Sequence, residues 1–248
     1  MPWKGETNPY HIWLSEIILQ QTRVEQGMSY YKKFISAFPT IVQLANAPEK
    51  EIFKYWEGLG YYNRCRNLIA TAKIISLDYK GRFPSTYDEI LKLPGIGPYT
   101  AAAIASFAFR LPYPVVDGNV ERILARYFGI SAESGSAAVK KLYISIAESL
   151  LDKKNPGVYN QAIMDFGATT CKPQNPLCDQ CVQSKNCQAF QQGWIQQLPV
   201  KSTPVTRKKR ILYILLLAPV RIKSGYANDQ KKISGKTCMN LFCGKLGK

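Results

Sequence analysis

The sequence predicts an all-α protein, and three observations carry that expectation. Apolar residues recur three and four apart in "IWLSEIILQQ", "ATAKIISL", "TAAAIASFAF", "NVERILARYF" and "VKKLYISIAESLL", the spacing that lines one face of a helix. No alternating apolar and polar run competes before residue 210. Loops marked by Pro, Gly or Asn part the segments, at Phe38-Pro39-Thr40, from Gly58 to Asn63 and at Asn155-Pro156-Gly157.

Composition bounds the function. The 248 residues, 46% of them hydrophobic, allow one large domain or two modest ones. No apolar run is long enough to span a bilayer, and the start, "MPWKGETNPYHIWLSE", lacks the layout of a secretory signal. A cytoplasmic, reducing location is therefore expected, which disfavours disulfides. The formal charge of +16 is compatible with nucleic acid. Residues 206–248 alone account for +10, however, leaving +6 on the rest.

In chain order, the first segment that bears on chemistry is "PYHIWLSEIILQQT". Glu16 lies in a helix whose other faces are apolar (Ile12, Trp13, Ile17, Ile18), so desolvation could raise its pKa and suit it to general-acid work. A solvated acid on the polar face beside Gln20 is the alternative. Next, "EGLGYYNRCRNL" places two tyrosines and two arginines on a loop, either an aromatic wedge with phosphate-binding cations or packed rings with solvated arginines.

"LPGIGPYTAAAIASFAF" follows, a Pro-Gly-x-Gly turn feeding an Ala-rich helix. Such a turn can present backbone N–H groups to a phosphate at the helix N-terminus, or simply join two helices. In "PVVDGNVERILARYF", Asp117 reads as an N-cap or as a carboxylate at the mouth of the same groove.

"CKPQNPLCDQCVQSKNC", residues 171–187, gathers four of the seven cysteines in a chain with one histidine. Its C-x6-C-x2-C-x5-C spacing, with little apolar sequence between, gives it almost no core to fold around. The unequal gaps suit an iron–sulfur cluster better than zinc, whose structural sites usually pair short C-x2-4-C units; both remain open on spacing alone. Residues 191–210 read as a polar, Pro-containing linker. Residues 211–248 are a short apolar burst followed by basic sequence, too short to bury a core.

Taken in order, "WLSEIILQQT", "GLGYYNRCRN", "LPGIGPYTA", "VDGNVERIL", "NQAIMDFGATTC" and the four-cysteine loop closely resemble the adenine DNA glycosylases of the helix-hairpin-helix superfamily, relatives of endonuclease III. The resemblance covers roughly residues 1–200 and implies two helical subdomains with an iron–sulfur loop, residues 1–190 forming the catalytic domain. It implies duplex DNA as partner, with adenine opposite 8-oxoguanine or guanine flipped out of the stack, and a monomeric enzyme without membrane association.

By position, Glu16 matches the family's acid and Asp117 the carboxylate that stabilises the sugar cation, with Tyr99 and Asn119 hydrogen-bonding the catalytic groups. Tyr99 stands where bifunctional relatives hold the lysine that forms a Schiff base, so base excision without strong lyase activity is expected. The DNA-binding positions are Gln20, Gln21, Tyr62, Arg64, Leu93, Gly95, Gly97 and Lys172, Gln21 and Tyr62 being those inserted into the stack. Trp3, Lys4 and Gln161 line the adenine pocket, Lys4 departing from the family's usual arginine. Cys171, Cys178, Cys181 and Cys187 match the ligands of a 4Fe-4S cluster. An endonuclease III-like glycosylase/lyase and an inactive DNA-binding remnant are the alternatives.

Two departures complete the reading. The family normally carries sequence before "PW", and a nudix-like C-terminal domain that this chain is expected to lack in complete form. Allowed codons for Gln230 to Phe242, read two nucleotides later, give Glu-Lys-Asp-Ile-Trp-Gln-Asn-Leu-Tyr-Glu-Phe, which looks like the start of that domain. The tail is thus expected to be a frameshifted remnant, an expectation the gene's codons decide.

Overall fold

A computed structural model describes residues 5–200. The expectations for Trp3, Lys4 and the tail after residue 200 lie outside the described residues. Helices account for the ordered elements: α1 (Pro9–Leu19), α2 (Val24–Ala37), α3 (Ile41–Asn46), α4 (Glu49–Trp56), α5 (Tyr62–Leu77), α6 (Tyr87–Leu91), α7 (Pro98–Phe109), α8 (Gly118–Phe128), α9 (Ala137–Leu150), α10 (Pro156–Thr169) and α11 (Gln188–Gln191). Among the described residues there is no strand, as the all-α expectation requires. None of these helices is long and apolar enough to cross a membrane.

The helices start where short polar side chains satisfy the first free N–H groups. Asn8 accepts from Tyr10 N at 3.0 Å, Thr40 and Gln43 form a reciprocal capping box, and Ser136 accepts from Val139 N at 3.2 Å. Pro9, Pro98 and Pro156 occupy first helical positions, where the missing N–H costs nothing.

Two groups of helices bury separate cores. The larger is built from the helices up to α7, around the fully buried Trp13, Phe34, Leu44, Trp56 and Leu68. At its centre α1 and α7 pack on each other, α1 burying residues on nearly every side (Ile12, Trp13, Leu14, Ser15, Ile17, Ile18). The smaller joins α8, α9 and α10 through Val120, Leu124, Tyr143 and Ala147, with Ile163 and Met164 against them. Helix α10 also packs on α7.

Two boundaries differ from the sequence reading. The loop expected through Asn63 closes two residues earlier, because Tyr61 adopts a left-handed conformation (φ 48°, ψ 53°) and α5 begins at Tyr62. The segment after 190 is fastened at its start: Leu198 is buried, its carbonyl accepts from Arg126 Nε at 3.0 Å, and Val200 O accepts from Ser134 N at 2.9 Å.

Candidate active site and cysteine loop

Helix α1 carries Glu16 on the side facing α7. The residue keeps partial exposure, but protein surrounds the carboxyl, and this desolvation, with a smaller push from the charge of Asp117, raises its pKa from the ordinary 4.5 to about 7. The Tyr99 hydroxyl, from the first turn of α7, donates to that carboxyl and pulls the other way. Burial and the two nearby carboxylates push Tyr99 itself far above the ordinary phenol range, so it remains a donor. The solvated alternative for Glu16 is thereby set aside.

Asp117 is the N-cap that the sequence allowed. As the N-cap of α8 its Oδ1 accepts from Asn119 N at 2.9 Å and Val120 N at 2.8 Å. Its Oδ2 accepts from Asn119 Nδ2 at 2.7 Å, and its charge reaches Glu16 and Tyr99. Asp117 is thus fixed in place by three donors at a helix N-terminus, beside the Glu16 carboxyl, whose neutral form burial favours.

Behind Asp117, Arg122 is 8% exposed. Its Nη2 donates to Asn119 Oδ1 at 2.9 Å and to Gly167 O at 2.8 Å, and its Nε donates to Cys171 O at 2.8 Å. One turn later Arg126 donates to Lys172 O at 2.8 Å and Pro173 O at 3.1 Å, with Nη1 3.5 Å from Cys171 Sγ. Helix α8 thus begins with the Asp117 carboxylate and ends by gripping the cysteine loop. Sequence reasoning passed over both arginines; their four-residue spacing on α8 was the available signal.

The loop itself has no buried residue from 171 to 188, and Val182 is 84% exposed. Packing does not organise it. The four thiols are half-buried and free, and burial together with Cys171, Cys187 and Cys181 pushes the Cys178 thiol up, as mutual crowding of thiolates does. Among the described residues no three ligand side chains converge at metal-holding distances. The donor set nevertheless fits a group that takes four thiolates, with the Arg126 guanidinium beside Cys171 to offset their charge.

The DNA-facing expectations divide. Gly95 has φ +74°, and a Cβ there would lie 2.7 Å from Asn67 Cβ, so the turn before α7 requires glycine. Gly97 caps α7 without a side chain. Leu93 is 4% exposed and anchors the turn in the core, so any contact it makes with DNA runs through its backbone. Gln20 caps the C-terminus of α1 and Gln21 follows with φ 56°; they face Tyr61, Tyr62 and Asn63 across an open cavity of about 290 Å³.

Arg64, at 9% exposed, donates to Ile17 O at 3.1 Å, Ile18 O at 2.9 Å and also Gln20 O, closing the C-terminus of α1. Tyr62 is partly engaged, its ring 6.4 Å from that of Phe53. Tyr61, which the sequence reading did not select, is 62% exposed and lies over the Arg64 guanidinium at 5.4 Å. Its signal was its place directly after Gly-Leu-Gly. Gln161 sits on α10 and donates to Asp165 Oδ1 at 3.0 Å; Lys172 contributes its carbonyl to Arg126.

This arrangement of helices, turn and paired carboxyls defines a class. The profile of the HhH-GPD superfamily base excision DNA repair proteins matches residues 14–148, and the chain belongs to that family. Its relatives include the adenine DNA glycosylase of Buchnera aphidicola subsp. Schizaphis graminum, 38% identical over 247 residues, covering 98% of this chain and 69% of that protein. The adenine DNA glycosylase of Rattus norvegicus is 42% identical over 211 residues, covering 80% of this chain and 41% of that one. For two further Buchnera relatives the chain spans 62% and 59% of their length. Among solved structures, a thermostable thymine-DNA glycosylase superposes with a TM-score of 0.71 at 34% identity, over 77% of this chain and 88% of that one. A trapped endonuclease III–DNA covalent intermediate superposes with 0.65 at 25% identity, over 75% and 86%. Fold, family and relatives agree on a DNA glycosylase of base excision repair.

Proposed function

We propose that the chain is a monofunctional adenine DNA glycosylase acting on duplex DNA, hydrolysing the N-glycosidic bond of adenine mispaired with 8-oxoguanine or guanine. The observation that carries this reading is Glu16, held near neutrality with the Tyr99 hydroxyl on its carboxyl and the charge of Asp117 beside it. The adenine DNA glycosylases among its relatives support the choice of base.

Glu16, whose pKa of about 7 keeps a large share of it protonated at neutral pH, gives its proton to a ring nitrogen of the flipped adenine. The bond between the anomeric carbon and the purine breaks, its electron pair leaves with the neutral base, and the sugar is left as an oxocarbenium-like cation. Asp117 stabilises that cation, held in place by Asn119 and the first N–H groups of α8. Water adds to the anomeric carbon and its proton returns to the Glu16 carboxylate. The use of one acid and one anionic carboxylate on a glycosidic bond parallels sugar hydrolysis.

Cys171, Cys178, Cys181 and Cys187 would hold a 4Fe-4S cluster, which when bound supplies the cross-link that a loop without a core needs. Arg122 and Arg126 keep the loop on α8. Single-turnover adenine release from a duplex with adenine opposite 8-oxoguanine tests the reading. Release by the chain as written, abolished in Glu16→Gln, is expected; no release from a folded, cluster-loaded sample would overturn it.

A further inference from the structure

The segment that delivers Asp117 is not helical. Residues 110–117, which include Leu111-Pro112-Tyr113-Pro114-Val115-Val116, run between α7 and α8 without regular structure. Two prolines remove two N–H donors and hold the residues before them extended. The segment therefore cannot fix itself by its own ladder, and its remaining backbone groups need partners from other elements.

Asn160 of α10 supplies them. It is 1% exposed; its Oδ1 accepts from Val115 N at 3.1 Å and its Nδ2 donates to Tyr113 O at 2.9 Å. One side-chain amide thus reads both faces of the peptide backbone two to four residues before Asp117. On the other side, the Tyr113 ring stacks on Tyr87 at 4.3 Å and 11°, and Val115 is buried against Ala102 and Ala103 of α7. The stacked rings and the apolar contact can slide; the paired hydrogen bonds fix position along the chain.

Helix α10 is itself held closely. A Cβ on Gly157 would lie 2.9 Å from Ser106 O, and one on Gly167 2.7 Å from Asn119 Cβ. Between these two contacts, Asn160 is followed directly by Gln161, the residue expected to line the base pocket.

We infer that Asn160 is a positioning residue that sets the register of the Asp117 carboxylate against the base-binding side of the site, through the backbone of Tyr113 and Val115. This rests on the glycosylase reading above. It predicts that loss of the amide displaces Asp117 without removing it, weakening stabilisation of a cationic sugar more than binding of DNA as such.

The test uses the full chain and Asn160→Ala, with the isosteric Asn160→Asp as a second variant in case the first does not fold. Asp keeps an acceptor for Val115 N–H but opposes an oxygen to Tyr113 O. Two probe duplexes are compared, one carrying a cationic pyrrolidine in place of the sugar and one the neutral tetrahydrofuran analogue. Their affinity ratio does not depend on the fraction of protein folded. The variants should lose about tenfold or more of the preference for the cationic probe, with single-turnover release slowed by up to about 100-fold.

An unchanged ratio in variants that bind the neutral probe, when the wild-type chain prefers the cation, overturns this inference alone. A wild-type chain with no preference and no release overturns the glycosylase reading, and this inference with it.

Discussion

The Nη2 of Arg122 donates to Asn119 Oδ1 at 2.9 Å, which orients the amide so that its Nδ2 faces Asp117 Oδ2 at 2.7 Å. Because the same guanidinium reaches Cys171 O, the Asp117–Asn119 pair and the cysteine loop share one buried cation. Arg122→Gln should slow single-turnover release by roughly ten- to a hundredfold and lower the melting temperature. Lysine should not restore the rate, since a point charge cannot reproduce the fork. Full activity in Arg122→Lys would disprove the bidentate role.

Glu16 sets a pH profile. Its neutral form is the acid, and its pKa is about 7, so the single-turnover rate should be flat below that value and fall tenfold per pH unit above it. Stability follows the same sign. The folded chain holds the proton between pH 4.5 and about 7, where the unfolded chain has lost it, so stability falls across that window. Glu16→Gln should therefore be more stable than wild type at pH 8, by at most about 3 kcal/mol given partial exposure, and no more stable at pH 4. Urea melts at the two pH values check this.

Gly167 packs against the active-site helix with no room for a methyl group, a Cβ lying 2.7 Å from Asn119 Cβ and 3.1 Å from Ile123 Cδ1. Gly167→Ala should destabilise by about 1–3 kcal/mol and slow base release by displacing Asn119. Measured melting and rate together decide it; a variant more stable than wild type would show that α10 can move freely.

Tyr61 and Tyr62 separate by exposure and by partner. Tyr61→Ala should weaken binding to duplex DNA by about 1–3 kcal/mol, the value of one lost base stack, and Tyr62→Ala by less. Equal losses in a fluorescence-anisotropy titration would show that the two rings contribute alike, and a larger loss for Tyr62→Ala would support its expected insertion.

Tyr99 cannot form an imine, so borohydride should trap no covalent complex with substrate DNA. Tyr99→Lys places an amine beside Glu16 and should yield a trapped species on denaturing gels, at a reduced rate of base release. A crosslink formed by the wild-type chain would refute monofunctional chemistry.

Much of the architecture was legible in the sequence because local forces decide it. The helices follow the three-and-four spacing of apolar residues, Pro9, Pro98 and Pro156 mark starts, and the loop from Cys171 to Cys187 lacks a core in the structure as in the sequence. Glu16 and Asp117 could be singled out by residue type and neighbours, though each kept a bland reading. The enclosure of Arg64 by the end of α1 was not legible, because it is a contact between distant segments.

By itself, then, the sequence determined the helices, their order and which groups can titrate or take a metal, since these depend on residues within a few positions of one another. Only the tertiary structure decided that the pKa of Glu16 is raised to about 7, that Tyr61 is the more exposed of the two adjacent rings, and that Arg122 joins Asn119 to the cysteine loop. Each of these depends on desolvation or hydrogen bonding between elements far apart in the chain, and neither periodicity nor spacing encodes such distances.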